Sequence, residues 1–207
     1  VGAVTALSVP YLGRGPLPFI DLVSQLFTAR GRFFYQVYFQ EEGVAEAELE
    51  ADVGASLRRF LYAISGDAPD GTWPVDKPHG ARLLDRLPDP EPFPAWLSAQ
   101  DLDFYVGEFE RSGFRGPLNR YRNHRRDWTW AAQFDGRRIS QPACFIGGER
   151  DLVLKMLPGL DLVAAMRAEV RDLRTCVILP GCGHWTQQER PAETTSHLLE
   201  WLEGLKL

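Results

Sequence analysis

Two side chains in the last third of the chain have the types and settings for acid–base work. Asp151 ends the stretch Gly147-Gly-Glu-Arg-Asp151, a few residues after the apolar run Ala143-Cys-Phe-Ile146. His184 lies in Gly181-Cys-Gly-His184-Trp185, directly after a second apolar run, Cys176-Val-Ile-Leu179. In open parallel sheets, reactive side chains collect beyond the carboxyl ends of the strands. If the two runs are neighbouring strands, the carboxylate and the imidazole emerge at the same end. The carboxylate then fixes the imidazole tautomer and stabilises the imidazolium once it takes a proton. Taken alone, Asp151 reads first as a loop or helix-cap aspartate. A histidine between a glycine turn and a tryptophan has fewer structural reasons to be there, and the two together carry more weight than either.

Acid before base is the chain order of α/β-hydrolases, in which a nucleophile on a tight strand-to-helix turn precedes both. Nothing of the form Gly-x-Ser/Asp/Cys-x-Gly occurs in this sequence. Cys182 falls on the wrong side of the acid, and His79-Gly-Ala-Arg82 is only a faint likeness of an oxyanion loop. The expectation is that the chain contains no nucleophile and that nucleophile and oxyanion donors lie upstream of Val1.

These residues need a sheet to position them. Val1 to Val9 is β-branched and apolar and stops at Pro10, which reads as a buried strand. The runs at 143–146 and 176–179 are two more strands. Helical spacing between and after them, at Leu162, Val163, Met166 and Val170 within 158–170 and at Leu198, Trp201, Leu202 and Leu205 within 194–205, predicts a parallel α/β layer. The middle, about 20 to 135, lacks strand signals. A short helix is expected over 19–29, and one continuous helix over 46–64, with Leu49, Val53, Leu57, Phe60, Leu61 and Ile64 as its apolar stripe. Ser98-Ala-Gln-Asp101 resembles a capping box ahead of Leu102, Tyr105, Val106 and Phe109. A further helical piece is expected from about 118 to 134, and 66–94, rich in Pro, Gly and Asp, reads as a long loop. The division expected is 1–18 as a core strand and loop, 19–138 as an α-helical lid, and 139–207 as the C-terminal α/β segment with acid and base.

Composition narrows the classes. The 207 residues are 44% hydrophobic and 25% charged, ordinary for a globular chain, with 12% aromatic. A net charge of -5 argues against gripping nucleic acid or an anionic membrane by bulk charge. No apolar run nears the roughly 20 residues of a membrane span, and Val1 to Val9 has no basic flank of a signal peptide. Cys144, Cys176 and Cys182 form no disulfide framework, and the four histidines are not spaced with them like zinc ligands. A reduced, cytoplasmic setting is expected.

Two further segments carry a specific likeness. Tyr35-Gln-Val-Tyr-Phe-Gln-Glu-Glu-Gly-Val-Ala-Glu-Ala-Glu-Leu-Glu50 and Ser112-Gly-Phe-Arg-Gly-Pro-Leu-Asn-Arg-Tyr121-Arg-Asn123 closely resemble the lid of soluble epoxide hydrolases. Gly183-His-Trp-Thr-Gln187 resembles their histidine loop, and Leu7-Ser-Val-Pro10 the strand after their nucleophile helix. The resemblance runs along almost the whole chain. It implies a partial α/β-hydrolase fold (the last strands of the parallel sheet) with an α-helical lid insertion. It also implies a reaction. An aspartate attacks a small apolar epoxide to form an ester, two lid tyrosines hold and protonate the epoxide oxygen, and a histidine held by an acid activates water to release a vicinal diol.

On matching positions the resemblance makes Tyr35 and Tyr121 the tyrosines, Asp151 the acid and His184 the base, with Phe34, Gln36 and Trp185 lining the pocket. No metal or organic cofactor is implied. Without the resemblance, Tyr35 reads as a core tyrosine. Tyr121, among Arg120, Arg122, Arg125 and Arg126, reads as a surface residue on a basic helix whose charges are solvated or paired with acids. Arg120 stands where the family commonly has tryptophan.

The 207 residues are therefore expected to be the C-terminal part of a longer enzyme, or a product that has lost its first half, and to be inactive alone. Such a chain is expected either to self-associate or to be completed by the missing N-terminal half, because an uncovered strand edge and apolar face invite association. Two other readings stay open: a truncated, non-catalytic relative serving as a binding module, and a haloalkane dehalogenase-like hydrolase, which needs halide donors rather than two lid tyrosines.

Overall fold

The computed structural model describes residues 1–157 and 159–205; Pro158, the expected first residue of the helix over 158–170, and the last two residues of the expected 139–207 segment lie outside the described residues. The strands are β1 (Val4–Leu7), β2 (Ala143–Gly148) and β3 (Leu173–Leu179). The helices are α1 (Phe19–Leu26), α2 (Tyr35–Tyr38), α3 (Val44–Leu49), α4 (Val53–Ala63), α5 (Ala99–Ser112), α6 (Arg115–Arg122), α7 (His124–Ala131), α8 (Leu162–Glu169), α9 (Thr186–Glu189) and α10 (Pro191–Glu203). They divide into two compact units: Val1–Gly13 with Ile64–Pro69 and Gly136–Leu207, and Arg14–Ala63 with Asp70–Asp135.

The first unit is a parallel sheet in the order β1-β2-β3. Val4 to Leu7 pair with Ala143 to Ile146, and β2 pairs on to Gly148↔Leu179 with an irregularity at Ala143/Cys144. Every residue of β2 is buried, because alternate side chains point to opposite faces and both faces are covered. Cys144 and Ile146 pack with Leu179, Cys182 and Trp201 on one face. Ala143 and Phe145 pack with Met166 and Val170 on the other. Helices α10 and α8 supply these covers. Two expectations shift. β1 is shorter than 1–9 and only partly buried, as it has a strand partner on one side among the described residues. Leu202, turned about 100° from the buried Trp201, is 51% exposed rather than inward.

The second unit is helical, with a core that includes Phe33, Phe39, Leu49, Leu57, Phe114 and Leu118. The single helix expected over 46–64 is two helices, α3 and α4, interrupted at Glu50 to Asp52. Long-range and local bonds explain the break. Glu50 Oε1 accepts from the Phe114 backbone N–H at 2.9 Å, and Asp52 Oδ1 accepts from Ala55 N–H at 2.8 Å, starting a new helix. The apolar stripe survives, since Leu49, Val53 and Leu57 are all buried. Helix α5 opens with the expected capping box: Ser98 Oγ accepts from Asp101 N–H at 3.1 Å and Asp101 Oδ2 accepts from Ser98 N–H at 3.3 Å. The helical piece expected over 118–134 is also divided, at Asn123, into α6 and α7.

The 66–94 stretch has no helix or strand. Within the helical unit, two buried ionisable groups pin it. Glu48 accepts from Tyr38 Oη at 2.7 Å and from the Leu83 and Leu84 N–H groups at 3.1 and 2.9 Å. Lys77 donates to the Leu83 carbonyl at 2.6 Å, with its ammonium 5.3 Å from the Phe33 ring centre. Burial pushes the Lys77 ammonium down to about 8 and the Tyr38 phenol up to about 12. Among the described residues no helix is long and apolar enough to cross a membrane.

Candidate functional site

In the sheet unit, β2 and β3 are neighbours and parallel, so the loops after them leave from one end. Asp151 follows β2 and is completely buried. Its carboxylate faces Nδ1 of His184, which follows β3, at 3.0 Å through Oδ2 and 3.2 Å through Oδ1. Asp151 Oδ1 also accepts from Val153 N–H at 2.8 Å and caps the 3-10 turn Leu152–Lys155. The carboxylate thus caps a turn and faces the imidazole at once. Among the described residues, this geometry puts the Nδ1 proton toward the acid and leaves Nε2 as the nitrogen able to take a proton.

The histidine loop is fixed from several directions. His184 N–H donates to the Ile64 carbonyl at 3.0 Å, and its own carbonyl accepts from Ser8 Oγ at 2.6 Å. Ser8, at the end of β1, is buried and holds φ 63, a left-handed conformation that non-glycine residues seldom adopt. Buried Glu189 accepts three backbone N–H groups, from Gly66 at 2.7 Å, Gly183 at 2.8 Å and Trp185 at 3.0 Å. A side chain at Gly148 would run into the Gly183 carbonyl, so the two loops approach only as glycines. The Trp185 ring stands edge-on to the imidazole at 4.9 Å.

In the helical unit, Tyr35 opens α2 and Tyr121 sits in the last turn of α6. Their rings meet edge to face, 5.9 Å apart. Phe39 packs on both, at 5.5 and 5.3 Å. The two helices are tied by their backbones. Gln40 Nε2 donates to the Gln36 and Tyr121 carbonyls at 2.8 and 3.0 Å. Arg122 donates to the Phe39 carbonyl at 2.8 Å and pairs with Glu46 at 2.6 and 2.9 Å. That pairing holds the Glu46 carboxyl down at about 2. Burial raises the Tyr121 phenol, with Arg120 opposing weakly. Arg125 pairs with Asp21 at 2.6 Å, so two members of the basic stretch are spent on acids. Phe34 is buried against Phe27 and Tyr35 at 4.8 and 5.2 Å. Gln36, also buried, donates from Nε2 to Tyr35 Oη at 2.6 Å.

The structure thus brings Asp151, His184 and Trp185 together in one unit, and Phe34, Tyr35, Gln36 and Tyr121 together in the other. The sequence reading did not single out Ser8, Gln40, Arg122 or Glu189 as supports. Glu189, five residues after His184 in an otherwise polar turn, is the one whose position could have signalled a role. Among the described residues, no cluster of three or more His, Cys, Asp or Glu side chains is arranged to hold a metal ion.

The chain matches no protein-family model. It is 43% identical over 217 aligned residues to Epoxide hydrolase A of Mycobacterium tuberculosis (strain ATCC 25618 / H37Rv), a match spanning 100% of this chain and 63% of that protein. It is 37% identical to Bifunctional epoxide hydrolase 2 of Sus scrofa, covering 98% of this chain and 35% of the pig protein. Among solved structures, Epoxide Hydrolase A from Mycobacterium thermoresistibile superposes with a TM-score of 0.90 at 40% identity, over 100% of this chain and 63% of that one. The chain therefore spans less than two thirds of the length of these relatives.

Proposed function

Since the chain is, over its whole length, a homologue of part of the α/β-hydrolase-fold epoxide hydrolases, we propose that it carries the lid tyrosines and the acid–base pair of an enzyme that converts an epoxide and water to a vicinal diol. The observation that carries the reading is the buried Asp151 carboxylate on Nδ1 of His184, at the carboxyl ends of adjacent strands. In this reading a carboxylate nucleophile, which no motif in these residues supplies, attacks an epoxide carbon. The carbon–oxygen bond opens and an ester forms. Tyr35 and Tyr121 donate to the departing oxygen and one phenol protonates it. Burial favours the neutral phenol at Tyr121, so the proton stays available at neutral pH. His184 then takes a proton from water through Nε2. Hydroxide adds to the ester carbonyl, the imidazolium is stabilised by Asp151, the ester breaks to release the diol and the free carboxylate, and the proton held by the imidazolium restores the phenol that gave one up.

The proposed substrate is a small apolar epoxide, whose oxygen leaves poorly unless hydrogen-bonded. Phe34, Gln36 and Trp185 are proposed to line its site. The lid role expected over 19–138 falls to the helical unit and the core role to the sheet unit, which also holds 64–69 and 136–138. A cytoplasmic setting suits the thiols of Cys144 and Cys182, which burial raises to about 11 and about 12.

The test joins the chain to the part of Epoxide hydrolase A that it does not match. The joined protein is expected to hydrolyse a styrene-oxide-type epoxide, and the 207-residue chain alone is expected to form no diol. Diol formation by the chain alone, or halide release from a chloroalkane in place of diol formation by the joined protein, would overturn the reading.

A further inference from the structure

Tyr35 is not the end of its hydrogen-bond chain. Gln36 donates to its hydroxyl oxygen from Nε2 at 2.6 Å, and the other end of the same amide, Oε1, lies 2.9 Å from Nε2 of His124. Gln36 is only 6% exposed, so water is poorly placed to satisfy whichever end lacks a partner. A primary amide can sit either way round, and only a neighbour that is strictly a donor or an acceptor decides which. The His124 ring is seated between the Phe19 and Tyr121 rings, at 5.8 and 6.3 Å. His124 is the first residue of α7, directly after Asn123. Its Nδ1 has no hydrogen-bond partner among the described residues.

We infer that His124 is a positioning residue for Tyr35: its Nε2–H holds the Gln36 amide oxygen and so turns the amide nitrogen onto the phenol. The inference rests on the reading of Tyr35 as a donor to the epoxide oxygen. The accepted bond engages a lone pair of the phenol oxygen and not its proton. It also stabilises the negative charge that builds on Tyr35 as the proton leaves, which makes the phenol a stronger acid at the moment of ring opening. With the amide reversed, the phenol would face a carbonyl and spend its proton there. Burial lowers the affinity of His124 for a second proton, so at neutral pH a single N–H must serve, and the amide oxygen is the acceptor in front of it.

Nitrogen-15 NMR of the unaltered 207-residue chain reads the tautomer directly. The inference expects the proton on Nε2 of His124; a proton on Nδ1 alone overturns it. Tyrosine carbon-13 titrations then read the consequence. In His124→Phe, which keeps a ring but no donor, and in Gln36→Leu, Tyr35 is expected to titrate about one pH unit higher, the size of a lost bond to a charged oxygen, while Tyr121 moves less. His124→Gln, with an amide donor at similar reach, is expected to restore the original titration. An unchanged Tyr35 titration in His124→Phe overturns the inference. Should that variant fail to fold, the tautomer in the unaltered chain decides alone. In the joined protein the two levels separate. Loss of turnover in Tyr35→Phe with none in His124→Phe sinks this inference only. No loss in Tyr35→Phe sinks the catalytic reading and leaves the amide orientation standing.

Discussion

The acid–base pair of the sheet unit and the tyrosine pair of the helical unit are held by opposite chemistries. Around His184 the supports include two carboxylates, Asp151 on Nδ1 and Glu189 on three N–H groups, beside the Ile64 carbonyl and the Ser8 hydroxyl. Around Tyr35 and Tyr121 the contacts include neutral groups: edge-to-face and tilted rings, the Gln36 amide on the Tyr35 hydroxyl and the Gln40 amide on the Tyr121 carbonyl. An ion pair nearby, Arg122 with Glu46, spends its charges on each other while Arg122 also donates to the Phe39 carbonyl. The difference suits the two tasks proposed for these groups. A base that must become a cation needs an anion beside it. A phenol that must keep its proton until an alkoxide appears is best kept away from unpaired charge and partly dry.

The comparison can be broken in order of expected effect. His184→Asn in the joined protein removes the base, and steady turnover is expected to fall on the order of 10,000-fold while ester formation persists; rapid-quench kinetics separate the two steps, and equal loss of both would contradict the assignment. Glu189→Ala orphans three N–H groups, two of them buried, and is expected to cost about 3–5 kcal/mol in denaturant unfolding. Tyr121→Phe is expected to slow ester formation on the order of 100-fold and ester hydrolysis much less; equal slowing would deny the phenol its separate role.

Acid titration sharpens the contrast further. The Glu46 carboxyl is held at about 2 in the fold, below its ordinary unfolded value. Its pairing with Arg122 therefore stabilises the chain above about pH 4.5 and is lost as pH falls toward 2, a difference of about 2–3 kcal/mol. Glu46→Gln should remove that slope. Lys77 gives an effect of similar size at the opposite edge of the pH range. Its folded value of about 8 lies below the unfolded one. The unfolded chain thus binds the extra proton, and stability rises between about pH 8 and 10.5. Lys77→Met should flatten that rise, as read by thermal melts across the same range.

How much of this was legible depended on distance along the chain. The strands at 143–146 and 176–179 announced themselves by short apolar runs closed by glycine, and β2 shows why such a run is uniformly apolar: both of its faces are covered. The Ser98–Asp101 cap was readable because both partners lie within one turn. The break between α3 and α4 was not, because Glu50 is drawn to the Phe114 backbone 64 residues away. The same holds for His124, whose partner Gln36 is 88 residues upstream, and for Glu189, whose carboxylate meets Gly66 across 123 residues. Leu202 misled because a helical stripe near a chain end has an apolar edge that nothing among the described residues covers. Asp151 could be read as cap or as acid from sequence; in the fold its carboxylate caps the turn at Val153 and also faces the His184 imidazole.

The central claim, that these residues supply the proton donors and the water-activating base for one epoxide, is tested most directly by mass spectrometry of the joined protein after exposure to epoxide. With His184→Asn alone, a covalent ester is expected to accumulate. When Tyr35→Phe and Tyr121→Phe are added, that ester is expected to be lost. Failure of the ester to accumulate in the first protein, or its undiminished formation in the second, would contradict the account.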